Sequence, residues 1–122
     1  MTFPMISFKA TSTEMDESLQ QLVDQKFSSL DKFIGDETDV KCEVEFEKVA
    51  PHNSGEVHRV EANLWLHGTL YRAEATESSF EVAIDEVRDE LDKELRRAND
   101  KRDTLVKDGG RKIKEMMRFG ES

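Results

Sequence analysis

Apolar and polar positions alternate with two different periods along this chain, and the switches between them mark six elements. Met5 to Ala10 has period two, with Ile6, Phe8 and Ala10 on one side and Met5, Ser7 and Lys9 on the other, which predicts a first strand. Pro4 stands at its start, where a missing N–H donor is tolerated. Thr11-Ser12-Thr13 then offers helix caps, and Glu14, Asp16 and Glu17 are acids placed for a first helical turn. Met15, Leu19, Leu22, Val23, Phe27, Leu30, Phe33 and Ile34 follow helical spacing up to Gly35, so this stretch is expected to be one helix. Val40 to Glu47 returns to strict alternation. Val40, Cys42, Val44 and Phe46 are directed inward, while Lys41, Glu43, Glu45 and Glu47 are directed outward. After a turn-rich loop at 51–55 a third strand is predicted from Val57 to His67, with Val60, Ala62, Leu64 and Leu66 inward and Arg59, Glu61, Asn63, Trp65 and His67 outward. Gly68-Thr69 is expected to make a tight hairpin into a fourth strand, Leu70 to Thr76. There Tyr71, Ala73 and Ala75 share the inner face, and Arg72 and Glu74 the outer.

The last element is the longest. From Glu77 to Asp108 the residues Phe80, Ile84, Val87, Leu91, Leu95 and Ala98 recur at spacings of three and four and line one stripe of a helix. Ser78 or Ser79 is the expected N-cap, and Gly109-Gly110 the expected end. The order β-α-β-β-β-α, with a single apolar face on each strand, implies an α+β two-layer sandwich. A right-handed crossover places the first helix on one face of a four-stranded sheet, and the second helix must share that face. The expected division is one domain over 1–108 and a short basic tail over 109–122. Ile113, Met116, Met117 and Phe119 in that tail have near-helical spacing, which suits either a loose end or a short element that folds onto a partner.

Charge changes this picture in one place. The chain of 122 residues has a net charge of −9 and is 36% hydrophobic and 37% charged. That balance argues against nucleic-acid binding by bulk attraction, so any such partner must meet a local basic patch. Residues 1–76 carry seven bases and fourteen acids, and residues 77–122 carry eleven and thirteen. Along the last helix and the tail the charge is sorted: seven acids and one base from Glu77 to Asp92, then ten bases and five acids from Lys93 to Arg118. Compensation of the helix dipole accounts for such sorting without a partner. Yet Lys93, Arg97 and Lys101 fall at i, i+4 and i+8, with Arg96 beside them, which is the spacing of a rail able to grip phosphates. Lys26 is the other anomaly, since it lies four residues after Leu22 inside the apolar arc of the first helix. It is either a snorkelling lysine or a cation held at an opening between the helices.

Catalytic and metal chemistry find no pattern. His52, His58 and His67 lack ligand spacing, and Cys42 faces the core as a small apolar residue. There is no P-loop and no dinucleotide fingerprint, so no cofactor, no metal, no small-molecule substrate and no enzymatic activity are expected. A single cysteine excludes an internal disulfide and fits a reducing compartment. The first ten residues do not read as a signal peptide, and no stretch could span a membrane, so a cytoplasmic location and no membrane partner are expected. The outward glutamates predict an acidic sheet face. Trp65 on that face is expected to be covered by Arg59 or Arg72, or by another chain.

Three stretches, LVDQKFSSLDKF, LWLHGTLYRAEAT and FEVAIDEVRDELDKELRRANDK, taken in this order and spacing, resemble the ribosome hibernation-promoting factor family, also called ribosome-associated inhibitor, S30AE-type or sigma-54 modulation proteins. The resemblance covers about residues 5–107. It implies a fold like that of double-stranded-RNA-binding domains and a non-enzymatic factor that occupies the mRNA and tRNA channel of the small ribosomal subunit, idling ribosomes in stress or stationary phase. The implied partners are 16S-type rRNA and ribosomal proteins, the protein being a monomer off the ribosome. The implied rRNA-facing residues are Lys26, Lys32, Lys93, Arg97 and Lys101, with Arg96 basic at an adjacent position. Arg111, Lys112, Lys114 and Arg118 are tail candidates outside the shared pattern. Ser29 and Glu90 stand where relatives often carry a base. The chain is expected to be a short form, without the C-terminal dimerisation domain of long members. The alternative reading is a protein-interaction module that uses the acidic sheet face around Trp65.

Overall fold

The computed structural model describes residues 4–50 and 55–115, with side chains up to Lys101. In chain order the elements are β1 (Ile6–Thr11), α1 (Glu17–Phe27), a 3-10 helix (Ser28–Phe33), β2 (Lys41–Lys48), β3 (His58–Leu66), β4 (Thr69–Glu77) and α2 (Phe80–Glu115). The strands form one sheet in the order β1-β2-β3-β4. β1 runs parallel to β2, which needs the α1 crossover, and the other pairs are antiparallel. Both helices pack on one face of the sheet, as the one-sided alternation requires. Between the layers lie Val23, Phe27 and Leu30, the inward strand residues Cys42, Val44, Phe46, Val60, Ala62, Leu64 and Leu66, and Ile84, Val87 and Leu91 of α2, all buried almost completely.

Four local features depart from the sequence pattern, each for a physical reason. The N-cap of α1 is Asp16, whose carboxylate accepts from the backbone N–H groups of Ser18 and Leu19. The upstream Thr11-Ser12-Thr13 does not cap it, and Met15 lies outside the helix, 42% exposed, instead of opening the core stripe. The Ser18 hydroxyl, which donates to the same carboxylate at 2.6 Å, and the Ser18 N–H together outweigh burial and, with the Leu19 N–H, hold the Asp16 carboxyl below the usual range.

The first helix is also not uniform. The Ser28 and Ser29 hydroxyls donate back to the carbonyls of Gln25 (2.7 Å) and Lys26 (3.0 Å). These bonds compete with the α-helical ladder, and the chain tightens to 3-10 over Ser28–Phe33. Gly35, with φ +60°, then turns it out of the helix.

The hairpin residues are His67-Gly68, one position earlier than expected. Leu66 pairs with Thr69, and both loop residues have positive φ, 55° and 75°, as a two-residue type I′ turn demands. Finally, Glu77 belongs to β4 and α2 begins at Phe80, capped by Ser79, whose Oγ accepts from the Val82 N–H. The helix continues through Gly109-Gly110 to Glu115, past its expected end.

Candidate nucleic-acid interface

Asp85, Arg88, Asp92 and Arg96 recur at spacings of three and four, so they share one flank of α2. That flank meets α1 and the 3-10 helix. Lys26 Nζ lies 2.9 Å from Asp85 Oδ1, an ion pair across the seam with both side chains partly exposed. The position of Lys26 inside the apolar arc is thereby explained: the arc faces α2, which supplies a carboxylate there. Three residues on, Arg88 Nη1 lies 3.4 Å from Ser29 Oγ. Further along the seam, Phe33 is approached by two cations. Lys32 Nζ is 5.4 Å and Arg96 Cζ 5.6 Å from its ring centroid, both in cation–π range.

Lys93, Arg97 and Lys101 are exposed and lie one turn apart on a second stripe of α2. The six basic residues therefore do not form one edge. Lys26, Lys32 and Arg96 gather at the seam, and the other three lie outside it. Nor is either group bare. Arg96 pairs with Asp92 at 3.2 Å, Arg97 with Glu94 at 3.1 Å, and Lys93 with Glu90 at 4.0 Å. From Phe80 to Lys101 α2 carries eight acids against five bases. Lys32 and Lys101 form no ion pair among the described residues. Arg111, Lys112 and Lys114 lie outside the described side chains, and Arg118 lies outside the described residues.

The opposite surface of the sheet corrects the expectation of an acidic face. Its outward glutamates, Glu43, Glu45, Glu47, Glu61 and Glu74, are interleaved with Lys9, Lys41, Arg59 and Arg72, and the registers place them side by side. Arg59 is the hub. It bonds Glu47 at 3.0 Å, Glu61 at 2.7 Å and Glu74, and Arg72 Nε meets the other Glu61 oxygen at 2.7 Å. Burial opposes ionisation of Glu61, but the hydrogen bond and charge of Arg59, then those of Arg72, outweigh it and hold the carboxyl below the usual range. Burial likewise opposes the Arg59 charge and is outweighed by the bonds to Glu61 and Glu74, so its pKa is raised. Both arginines turn to carboxylates, and the residue over the half-buried Trp65 ring is Lys41, with Nζ 5.4 Å from the centroid. Its neighbour Leu70 is 49% exposed.

Other chemistry is sparse. Burial pushes the Cys42 thiol up to about 12, with Glu43 and Asp24 adding to the shift, so it is an inert core group. A hydrogen bond with Glu86 raises the Glu77 pKa where the end of β4 meets α2. Among the described residues no group of three or more His, Cys, Asp or Glu is placed to hold a metal ion, and no helix is long and apolar enough to cross a membrane. Sequence reasoning placed Phe33 in the core stripe and missed its link to the two cations. The signal for it was the adjacency Lys32-Phe33 at a helix end, but its partner Arg96 is brought in only by the tertiary fold.

Comparison with known proteins gives one consistent result. Residues 6–103 match the family model described as sigma 54 modulation protein / S30EA ribosomal protein. A ribosome hibernation promotion factor from Deinococcus radiodurans is 30% identical over 86 residues, which are 70% of this chain and 44% of that protein. The chain thus spans less than half the length of this curated relative. Among solved structures, the N-terminal domain of Thermus thermophilus Protein Y superposes with a TM-score of 0.63 at 22% identity, covering 75% of this chain and 96% of that one. A ribosomal subunit interface protein from Coxiella burnetii gives 0.60 at 17% identity, covering 77% and 96%. These two share the fold of this chain.

Proposed function

The chain belongs to the sigma 54 modulation protein / S30EA ribosomal protein family, and on that premise we propose that it is a ribosome-associated hibernation factor. It binds the small subunit in the channel used by mRNA and tRNA and holds ribosomes inactive during stress. The match across 6–103 carries this reading. The action is steric: a rigid two-layer wedge and an mRNA–tRNA complex compete for one space, and occupancy follows from mass action.

In this reading the helical layer faces rRNA, and Lys26, Lys32, Lys93, Arg96, Arg97 and Lys101 contact phosphates. The ion pairs on α2 favour this assignment over a structural role for the same cations. They are local and exposed pairs, worth a few tenths of a kcal/mol each, so a phosphate displaces the carboxylate at little cost. The carboxylates left behind weaken the net attraction and keep binding selective for a matching surface. The factor works where ribosomes are, in the cytoplasm, as a monomer off the ribosome.

Cosedimentation with small subunits and with 70S ribosomes across a salt series tests the proposal. Stoichiometric binding is expected, with a log–log salt slope of roughly −4 if about five phosphates are contacted. Reversing two charges, Lys93→Glu with Arg97→Glu, is expected to lower affinity at least about tenfold, or about 1.4 kcal/mol. Absence of binding at low salt overturns the proposal and directs attention to a protein partner for the Trp65 surface.

A further inference from the structure

The Phe33 ring has a role beyond packing. It is the C-terminal residue of the 3-10 helix, half-buried against the core, and two cations from different elements converge on it. Lys32 comes from the same 3-10 helix and Arg96 from α2, about three turns after Asp85. Each charge is within 5.6 Å of the ring centroid, so the two are no more than about 11 Å apart. Two like charges so placed repel, and long side chains held near each other lose rotamer freedom. The ring offsets both effects, because its negative face attracts each cation and limits where each can point. Arg96 is restrained further by Asp92 at 3.2 Å. A lysine supplies a point charge and an arginine a planar fork of donors, a combination suited to a doubly liganded phosphate oxygen cluster.

We infer that Phe33 is a positioning residue that assembles Lys32 and Arg96 into a single seat for a backbone phosphate of RNA. This rests on the ribosome-binding reading above. The 3-10 tightening is what makes the seat. An α-helical continuation would turn each later residue by about 100° instead of about 120°, so Phe33 would leave the alignment with Leu30 that holds it at the α2 seam. Ser28 and Ser29, which cause the tightening, therefore act on the seat from a distance.

Phe33→Leu keeps an apolar side chain against the core and removes the π face, whereas Phe33→Trp keeps the face. Binding of the intact chain to purified small subunits in a salt series is measured for both, together with Arg96→Gln and the double variant Phe33→Leu/Arg96→Gln. Thermal melts of each variant run in parallel. The seat predicts a three- to tenfold loss of affinity for Phe33→Leu and retention by Phe33→Trp. It also predicts a salt slope flatter by about one for the leucine variant, as for one lost phosphate. In the double variant the losses should be less than additive, because each change already breaks the same seat. If the chain binds and Phe33→Leu matches it in affinity and slope, the inference fails while the ribosome-binding reading stands. Additive losses also overturn it, since they assign Phe33 to packing alone. If the unaltered chain does not bind at low salt, both fall.

Discussion

The two surfaces of this molecule are both crowded with charge, yet they use it differently. On the sheet, Arg59 of β3 reaches across to Glu47 on β2 and Glu74 on β4 and along its own strand to Glu61, and its side chain is only 20% exposed. On α2, the pairs Lys93–Glu90, Arg96–Asp92 and Arg97–Glu94 span three or four residues of one helix, with the cations 54–63% exposed. A cross-strand hub ties the tertiary structure together, and it sits between Glu61 and Glu74, which face each other in the β3–β4 register. A local helical pair does nothing that water and salt could not do. The comparison shows which cations are committed to the fold and which are available to a partner. Counting bases on each face does not reveal this, because the sheet face is close to balance and the helix is acidic.

The largest expected effect comes from breaking the hub. Arg59→Leu leaves Glu47 and Glu74 without their partner and Glu61 with Arg72 alone, and is expected to cost about 2–3 kcal/mol in urea unfolding at pH 7, less than for a fully buried pair. Lowering the pH sharpens the test. Glu61 has a folded-state pKa depressed below its ordinary 4.5. Its stabilisation is therefore fully present above that value and lost as pH falls through the folded one. The difference between Arg59→Leu and the unaltered chain should shrink below about pH 4.5 and should not shrink between pH 6 and 8.

The same unfolding measurement on Lys93→Glu/Arg97→Glu should give a change within about 0.5 kcal/mol, despite two charge reversals, because only local pairs are lost. A larger loss would erase the distinction between the two surfaces. The smallest effect belongs to the hairpin that joins β3 and β4. His67 adopts φ 55°, which asparagine tolerates better, so His67→Asn should stabilise the chain by about 0.5 kcal/mol, visible as a raised melting temperature.

Much of this architecture was legible from periodicity. The alternation at Cys42, Val44 and Phe46, and at Val60, Ala62, Leu64 and Leu66, named the inner face of two strands correctly, because one buried face fixes the register of every side chain. The stripe from Phe80 to Leu95 did the same for α2. Caps and turns were harder. Asp16 won the N-cap over three candidates upstream, and the hairpin took His67 in a position where asparagine, aspartate or glycine is usual, both decided by competition among close alternatives. The site was least legible. Lys26 looked anomalous on a wheel, and only the packing of α2 supplies Asp85 beside it. Trp65 is expected from sequence to lie under Arg59 or Arg72, or under another chain, but the network that takes both arginines depends on two strand-to-strand registers that no single stretch encodes.

The sheet order β1-β2-β3-β4 repeats the chain order, and this has a kinetic side. β2, β3 and β4 form an antiparallel meander in which each strand pairs with the next in the chain. β1 must wait for α1 and the 3-10 helix to bring it back: Ile6 pairs with Cys42, across the longest closure in the sheet. Loop-closure entropy rises with that separation, and a lone parallel strand contributes fewer local contacts to offset it. Of the four strands, the one that comes earliest in the sequence is thus the last to find its place. Amide hydrogens of β1 should exchange sooner than those of β3, and the outer edge of the sheet should open without loss of the meander.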